Sequence, residues 1–153
     1  MEIEVIQNKI FEIRGYKVML DFDLAELYQT ETKVLKQAVR RNLNRFPSDF
    51  MFELTNKEFE SLRSQIVTSN RGGSRYMPFA FTEQGIAMLS SVLNNDKAID
   101  INIAIMRTFV TIRQFTLSYA ELKTRIEEIE NQFPDIYKAL NYLVDKDAVS
   151  KNN

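Results

Sequence analysis

The sequence predicts an α+β protein: a winged helix-turn-helix-like core with small β-hairpins, then long core helices and a coiled-coil-like C-terminal helical tail. Three observations carry this reading. Between residues 32 and 48 stand Lys33, Lys36, Arg40, Arg41 and Arg45 with no acidic residue, directly after the short helical pattern Asp23-Leu24-Ala25-Glu26-Leu27-Tyr28. Short apolar runs bounded by turn residues frame that pattern on both sides. From Ile112 onward, apolar residues recur at alternating spacings of three and four.

Taken in order, Ile10-Phe11-Glu12-Ile13-Arg14 and Tyr16-Lys17-Val18-Met19-Leu20 read as a hairpin turning at Gly15. Asp23 and Glu26 have capping-box spacing, so a helix is expected to begin there with Leu24, Leu27 and Tyr28 inward. A turn falls at residues 29–31, with Thr30 or Thr32 capping the next helix. On that second helix Leu35, Ala38, Val39, Asn42, Leu43 and Phe46 share one side, Lys33, Gln37, Arg40 and Asn44 the other, and Pro47 ends it. Residues 50–54 form a strand, Thr55 or Asn56 caps a helix to about Ile66, and residues 76–81 return as a strand that pairs with the one at Phe50. Thr82 caps a helix ending near Leu93. Asn95 or Asp96 starts the longest helix, apolar on most sides and therefore expected in mid-core.

The tail has its own rhythm. Leu122, Ile126, Ile129, Phe133, Ile136, Leu140 and Leu143 form a heptad seam, with Ile112, Phe115 and Tyr119 in the same register. Pro134 inside it predicts a break. The expected division is residues 1–116 for the DNA-binding domain and 117–153 for a dimerisation segment. The bland alternative has the seam packing back onto the core.

Composition narrows the function classes. The chain of 153 residues carries a net charge of −1, yet residues 32–82 hold nine basic residues against four acidic ones. From Glu121 onward the balance reverses, with seven acids and five bases. Charge concentrated in this way suggests a DNA-facing front and a tail turned elsewhere. With no cysteine and no histidine, disulfides, zinc fingers, thiol nucleophiles and Ser-His-Asp chemistry are excluded. Asp21 and Asp23 look like caps, and Asp49 and Glu53 lack the lysine a Glu-x-Lys nuclease core needs. No enzyme activity, cofactor, metal or small-molecule substrate is expected. The N-terminus has no signal-peptide pattern, and Asp100, Asn102 and Arg107 interrupt the most apolar stretch, so no membrane span is expected either. The expected location is the cytoplasm, on the nucleoid.

The expected partner is double-stranded DNA. Lys33, Lys36 and Gln37 occupy the N-terminal part of the basic helix, where base edges are read. Gln37 suits adenine and Arg40 guanine, while Arg41 and Arg45 are placed for phosphates, with Asn44 on the same face. The loop Arg71-Gly72-Gly73-Ser74-Arg75 is no P-loop, because no Gly-Lys-Ser/Thr follows and a strand comes next. Lying between strands, Arg71, Gly72, Gly73 and Arg75 read as a wing that touches the DNA backbone. A solvated charged helix and a plain hairpin tip are the bland counterparts of these two motifs. The second partner is another copy of the chain, a homodimer through the C-terminal helices. The rival reading is a protein-interaction module that binds another protein through its helical tail.

Gly15-Tyr16-Lys17-Val18, Asp23-Leu24-Ala25-Glu26-Leu27-Tyr28, Val39-Arg40-Arg41-Asn42, Arg45-Phe46-Pro47 and Phe50-Met51-Phe52-Glu53-Leu54 also form an ordered set of motifs. Tyr76-Met77-Pro78-Phe79-Ala80-Phe81-Thr82-Glu83-Gln84-Gly85 and Ile105-Met106-Arg107-Thr108-Phe109-Val110 continue it. The set closely resembles the ORF-six-N domain, a phage domain of the KilA-N and Bro-N group, over residues 8 to 115. The resemblance implies DNA binding and a role as a transcriptional or phage-development regulator. It assigns no individual DNA contacts.

Overall fold

The computed structural model describes residues 3–66, 76–93 and 95–151, and the chain falls into two compact units, Met1–Val110 and Thr111–Asn153. The first is an α+β domain built on a four-stranded antiparallel sheet of order β1-β2-β4-β3. A short helix α1 (Ile3–Gln7) precedes β1 (Ile10–Ile13) and β2 (Tyr16–Leu20), which pair with Ile13 opposite Tyr16. The two turn residues, Arg14 and Gly15, both have positive φ, 55° and 79°, as a tight hairpin matched to strand twist requires. Arg14 tolerates that conformation because its guanidinium is held twice over. It forks onto Glu58 at 2.8 and 2.9 Å and lies 4.2 Å from the Phe52 ring centroid.

β4 (Phe79–Thr82) sits between β2 and β3 (Met51–Glu53), with Phe81 opposite both Met19 and Met51. The return strand thus begins at Phe79, three residues later than expected, and pairs with the Phe50 segment as expected and with β2 as well. Successive side chains then point to opposite faces. Met19, Met51, Phe79 and Phe81 face a core shared with α2 (Asp21–Tyr28), α3 (Thr32–Arg41), α5 (Glu83–Val92) and α6 (Asp96–Lys151). Val18, Leu20, Phe52 and Ala80 face a second cluster completed by Phe59 and Leu62 of α4 (Asn56–Leu62). Both faces are covered, which is why Val18, Met19 and Leu20 are all buried where an amphipathic strand would alternate.

Several expectations need correction. α2 begins at Asp21, two residues early, and Asp23 and Glu26 make no capping box; they lie 3.6 and 4.0 Å from the Lys9 ammonium. Neither Thr30 nor Thr32 caps α3: Glu31 is the N-cap residue, without a side-chain cap bond. α3 stops at Arg41, because the Asn42 amide donates back to the Ala38 carbonyl and a 3-10 turn follows at Leu43–Arg45. That turn swings Leu43 out to solvent and still delivers Phe46 to the core. α6 is not buried all round. Within the first unit Ala98, Ile101, Ile105 and Phe109 are buried, while Ile99, Ile103 and Val110 are exposed. Nor does Pro134 break α6, which runs through it. Proline removes one hydrogen bond and bends a helix, and good helix formers on either side (Glu127, Glu128, Glu130, Lys138, Ala139) continue it here.

Two caps behave as their sequences imply. The Thr82 hydroxyl accepts from the Gly85 N–H at the start of α5, and Thr55 and Glu58 form a reciprocal capping box on α4. Glu58 therefore serves both the α4 N-terminus and Arg14. The Arg14 hydrogen bonds, and then the Thr55 N–H, pull its carboxyl down from 4.5 to about 2. A folded-state value below the unfolded one adds stability that is present above the unfolded pKa and lost as pH falls through the folded one. An NMR titration of the Glu58 carboxyl should therefore give a midpoint near 2, returning toward 4.5 in Arg14→Ala.

Candidate nucleic-acid interface

Helix α2 ends at Gln29, whose left-handed conformation (φ 57°) lets the Gln29 and Thr30 N–H groups close onto Glu26 and Ala25 carbonyls. Glu31 then serves as N-cap residue of α3, its carbonyl accepting from Val34 and Leu35. Three residues thus join two helices that pack through Leu24, Leu27, Tyr28, Leu35 and Val39 against one face of the sheet. Burying Leu35 and Val39, four apart, turns the rest of α3 outward.

On that outward side Lys33, Gln37, Arg40 and Arg41 are exposed, followed by Asn44 and Arg45 of the 3-10 turn. Their surroundings differ. Lys33 is 84% exposed, with the solvated Glu31 carboxylate at 3.5 Å, a pair worth little in water. The Arg40 guanidinium lies 5.4 Å from the Phe79 ring centroid, which restricts its plane. Arg45 donates to the Ser91 hydroxyl at 3.0 Å, which ties the 3-10 turn to α5.

Lys36 is the correction. It stands in the basic run expected to face DNA, but it is buried. Its ammonium sits 3.3 Å from Asp21 Oδ2, donates to the Met77 carbonyl at 2.9 Å and lies 4.7 Å from the Phe79 ring centroid. Asp21 accepts the Phe22 N–H at 2.7 Å and the Phe79 N–H at 2.9 Å on its two oxygens. Burial pushes the Asp21 carboxyl above its usual range, against the opposing pull of Phe79 N–H and Lys36. The physical reason is helical geometry: Lys36 lies next to Leu35 and three residues before Val39, so its stem leaves from the edge of the buried stripe.

This ion pair joins the starts of α2 and β4 to the middle of α3. Sequence reading missed it because Asp21 looked like a cap and its partners are 15 and 58 residues away. It also fixes Met77, just beyond the Gly/Arg loop, beside α3, with the exposed Tyr76 ring 5.9 Å from the same ammonium. Arg71, Gly72, Gly73 and Arg75 themselves lie outside the described residues. The tail positions Leu122, Ile126, Ile129, Phe133, Ile136, Leu140 and Leu143 belong to the second unit, and each is exposed. Among the described residues no helix is long and apolar enough to cross a membrane.

A small antiparallel sheet carries two turn-linked helices on one face, and the second of them turns a cationic side outward. The family model for the ORF6N domain matches residues 8–92, more than half of the chain, and the chain belongs to this phage-associated family. No curated protein and no solved structure matches it.

Proposed function

We propose that this protein binds double-stranded DNA as a regulator of transcription or phage development, acting on the nucleoid in the cytoplasm. The observation that carries the reading is the outer surface of α3 and its 3-10 turn. It exposes Lys33, Arg40, Arg41 and Arg45 with no acid within residues 32–48, in a protein of net charge −1. Released counterions drive the binding. Gln37 and Arg40 read base edges, because Phe79 restrains the Arg40 fork that guanine recognition needs. Arg41 and Arg45 hold phosphates and set the register, and Lys33 adds its charge at the N-terminal end of the helix, where base edges are read. In this reading Arg71 and Arg75 brace the backbone as a wing.

The test is binding to a random duplex pool across a salt series. Four α3-face cations predict a log–log slope of roughly −3 to −4 per chain, steeper if the Arg71 and Arg75 contacts add to it. Arg41→Ala should weaken all sequences alike and flatten the slope by about one. Arg40→Ala should in addition relax preference at one base position among selected fragments. A flat salt dependence, or no binding to any duplex, overturns the reading. Identical behaviour of the two variants overturns the division of roles.

A further inference from the structure

The second unit has an uncovered apolar face of its own: Phe115, Tyr119 and Leu122 are 73%, 59% and 55% exposed. A strict three-four repeat over ten positions, Ile112 to Leu143, matches a supercoiled helix partner, since a straight helix drifts off a 3.5-residue stripe. The seam is about 47 Å long at 1.5 Å per residue. With its two flanking positions per heptad it offers about 20 residues a side, the scale of a stable interface. Pro134 falls one residue after Phe133, on the side away from the seam, so its missing N–H does not interrupt the contact face.

We propose that a second copy of this chain covers this face, with the two tails antiparallel and Ile126 of each opposite the partner's Ile129. Layer volumes fix the direction. Antiparallel in full overlap, Phe115 meets the partner's Leu140, Tyr119 the partner's Ile136 and Phe133 the partner's Leu122, while Ile112 meets the partner's Leu143. Every layer is then either one aromatic against one aliphatic residue or a pair of aliphatics. Parallel in register, Phe115, Tyr119 and Phe133 would each face themselves and the remaining layers would hold only aliphatic side chains. That alternates wide and narrow layers along one seam, against the uniform density of packed interiors. Flanking charge agrees with the antiparallel arrangement: Lys123 falls beside the partner's Glu130, twice by symmetry. Arg125 would meet the partner's Glu130 in the parallel arrangement, so the aromatic layers are what decide.

The chain has no cysteine, so introduced thiols are the only ones present. Phe115→Cys and Leu140→Cys full-length chains are purified separately, mixed, and treated with a short bis-maleimide; sedimentation of the unaltered chain runs alongside. The expected results are a dimer for the unaltered chain and a covalent product of twice the chain mass in the mixture only. Leu140 positions in one antiparallel pair are about 38 Å apart, so neither variant joins to itself. A monomer at all concentrations overturns the dimer. Self-joining of Leu140→Cys, with no excess of mixed product, overturns the antiparallel arrangement. Sedimentation needs no variant, so misfolding of either substitution leaves the dimer claim exposed to test.

Discussion

Lys36→Met is expected to cost the first unit about 3–5 kcal/mol, the loss seen when one partner of a buried ion pair is removed. The side chains of Lys36 and Asp21 are 8% and 2% exposed, so solvent does not screen the interaction. Methionine keeps most of the stem packing but leaves the Met77 carbonyl without its ammonium donor and the Asp21 carboxylate without its cation. Asp21 retains the Phe22 and Phe79 N–H donors, so it remains seated, now as an uncompensated charge. The pH dependence supplies a second readout. Burial already raises the Asp21 carboxyl. A carboxyl raised in the folded state contributes stability below its unfolded pKa that disappears as pH rises through its folded value. Removing Lys36 raises it further, so the deficit of the variant should shrink between about pH 7.5 and about pH 4.5. Urea denaturation at both values measures it; an equal deficit at each would show that packing, not charge, dominates. In the DNA-binding reading, folded Lys36→Met should keep the salt slope of the parent, because this ammonium faces Asp21 and not phosphate.

The contrast between Lys36 and its neighbours shows how far the sequence could be read. Local signals were enough for the hairpin at Gly15, the Thr55 and Thr82 caps, the return strand and the outward position of Gln37, Arg40 and Arg41. Each rests on residues within a few positions of one another, where turn chemistry and helical period act directly. The central place of β4 was not legible, because pairing with β2 depends on residues 60 to 64 positions apart. Lys36 failed for the same reason: a helical wheel places it at the border of two faces, and only Asp21 and Met77 decide which side it joins. Leu43 failed through a change of period, since the 3-10 turn after Asn42 rotates it away from the α-helical stripe. α6 looked fully buried because its apolar residues outnumber the positions the first unit can cover.

Gly85→Ala is expected to destabilise the first unit by about 3 kcal/mol, the upper end of what overpacking costs. A Cβ at position 85 would stand 1.9 Å from the Phe50 carbonyl oxygen and 2.8 Å from its carbon. The clash is with backbone, so no rotamer relieves it. Nor can that carbonyl swing aside cheaply, because it accepts the Thr82 N–H at 3.0 Å and the Thr82 hydroxyl at 3.2 Å. α5 would have to lift, drawing Ile86 and Leu89, both fully buried, out of the core beneath the α3 surface. Gly15 provides the control. A Cβ there meets nothing within 4 Å, but φ is 79°, so Gly15→Ala should cost only the roughly 1–2 kcal/mol of a left-handed alanine. Asparagine tolerates that region, so Gly15→Asn should recover part of the loss. No substitution with a side chain should recover Gly85. Chemical denaturation of the three variants separates the two mechanisms: a Gly85→Ala chain as stable as the parent would mean that α5 and the Phe50 segment do not approach as closely as this packing requires.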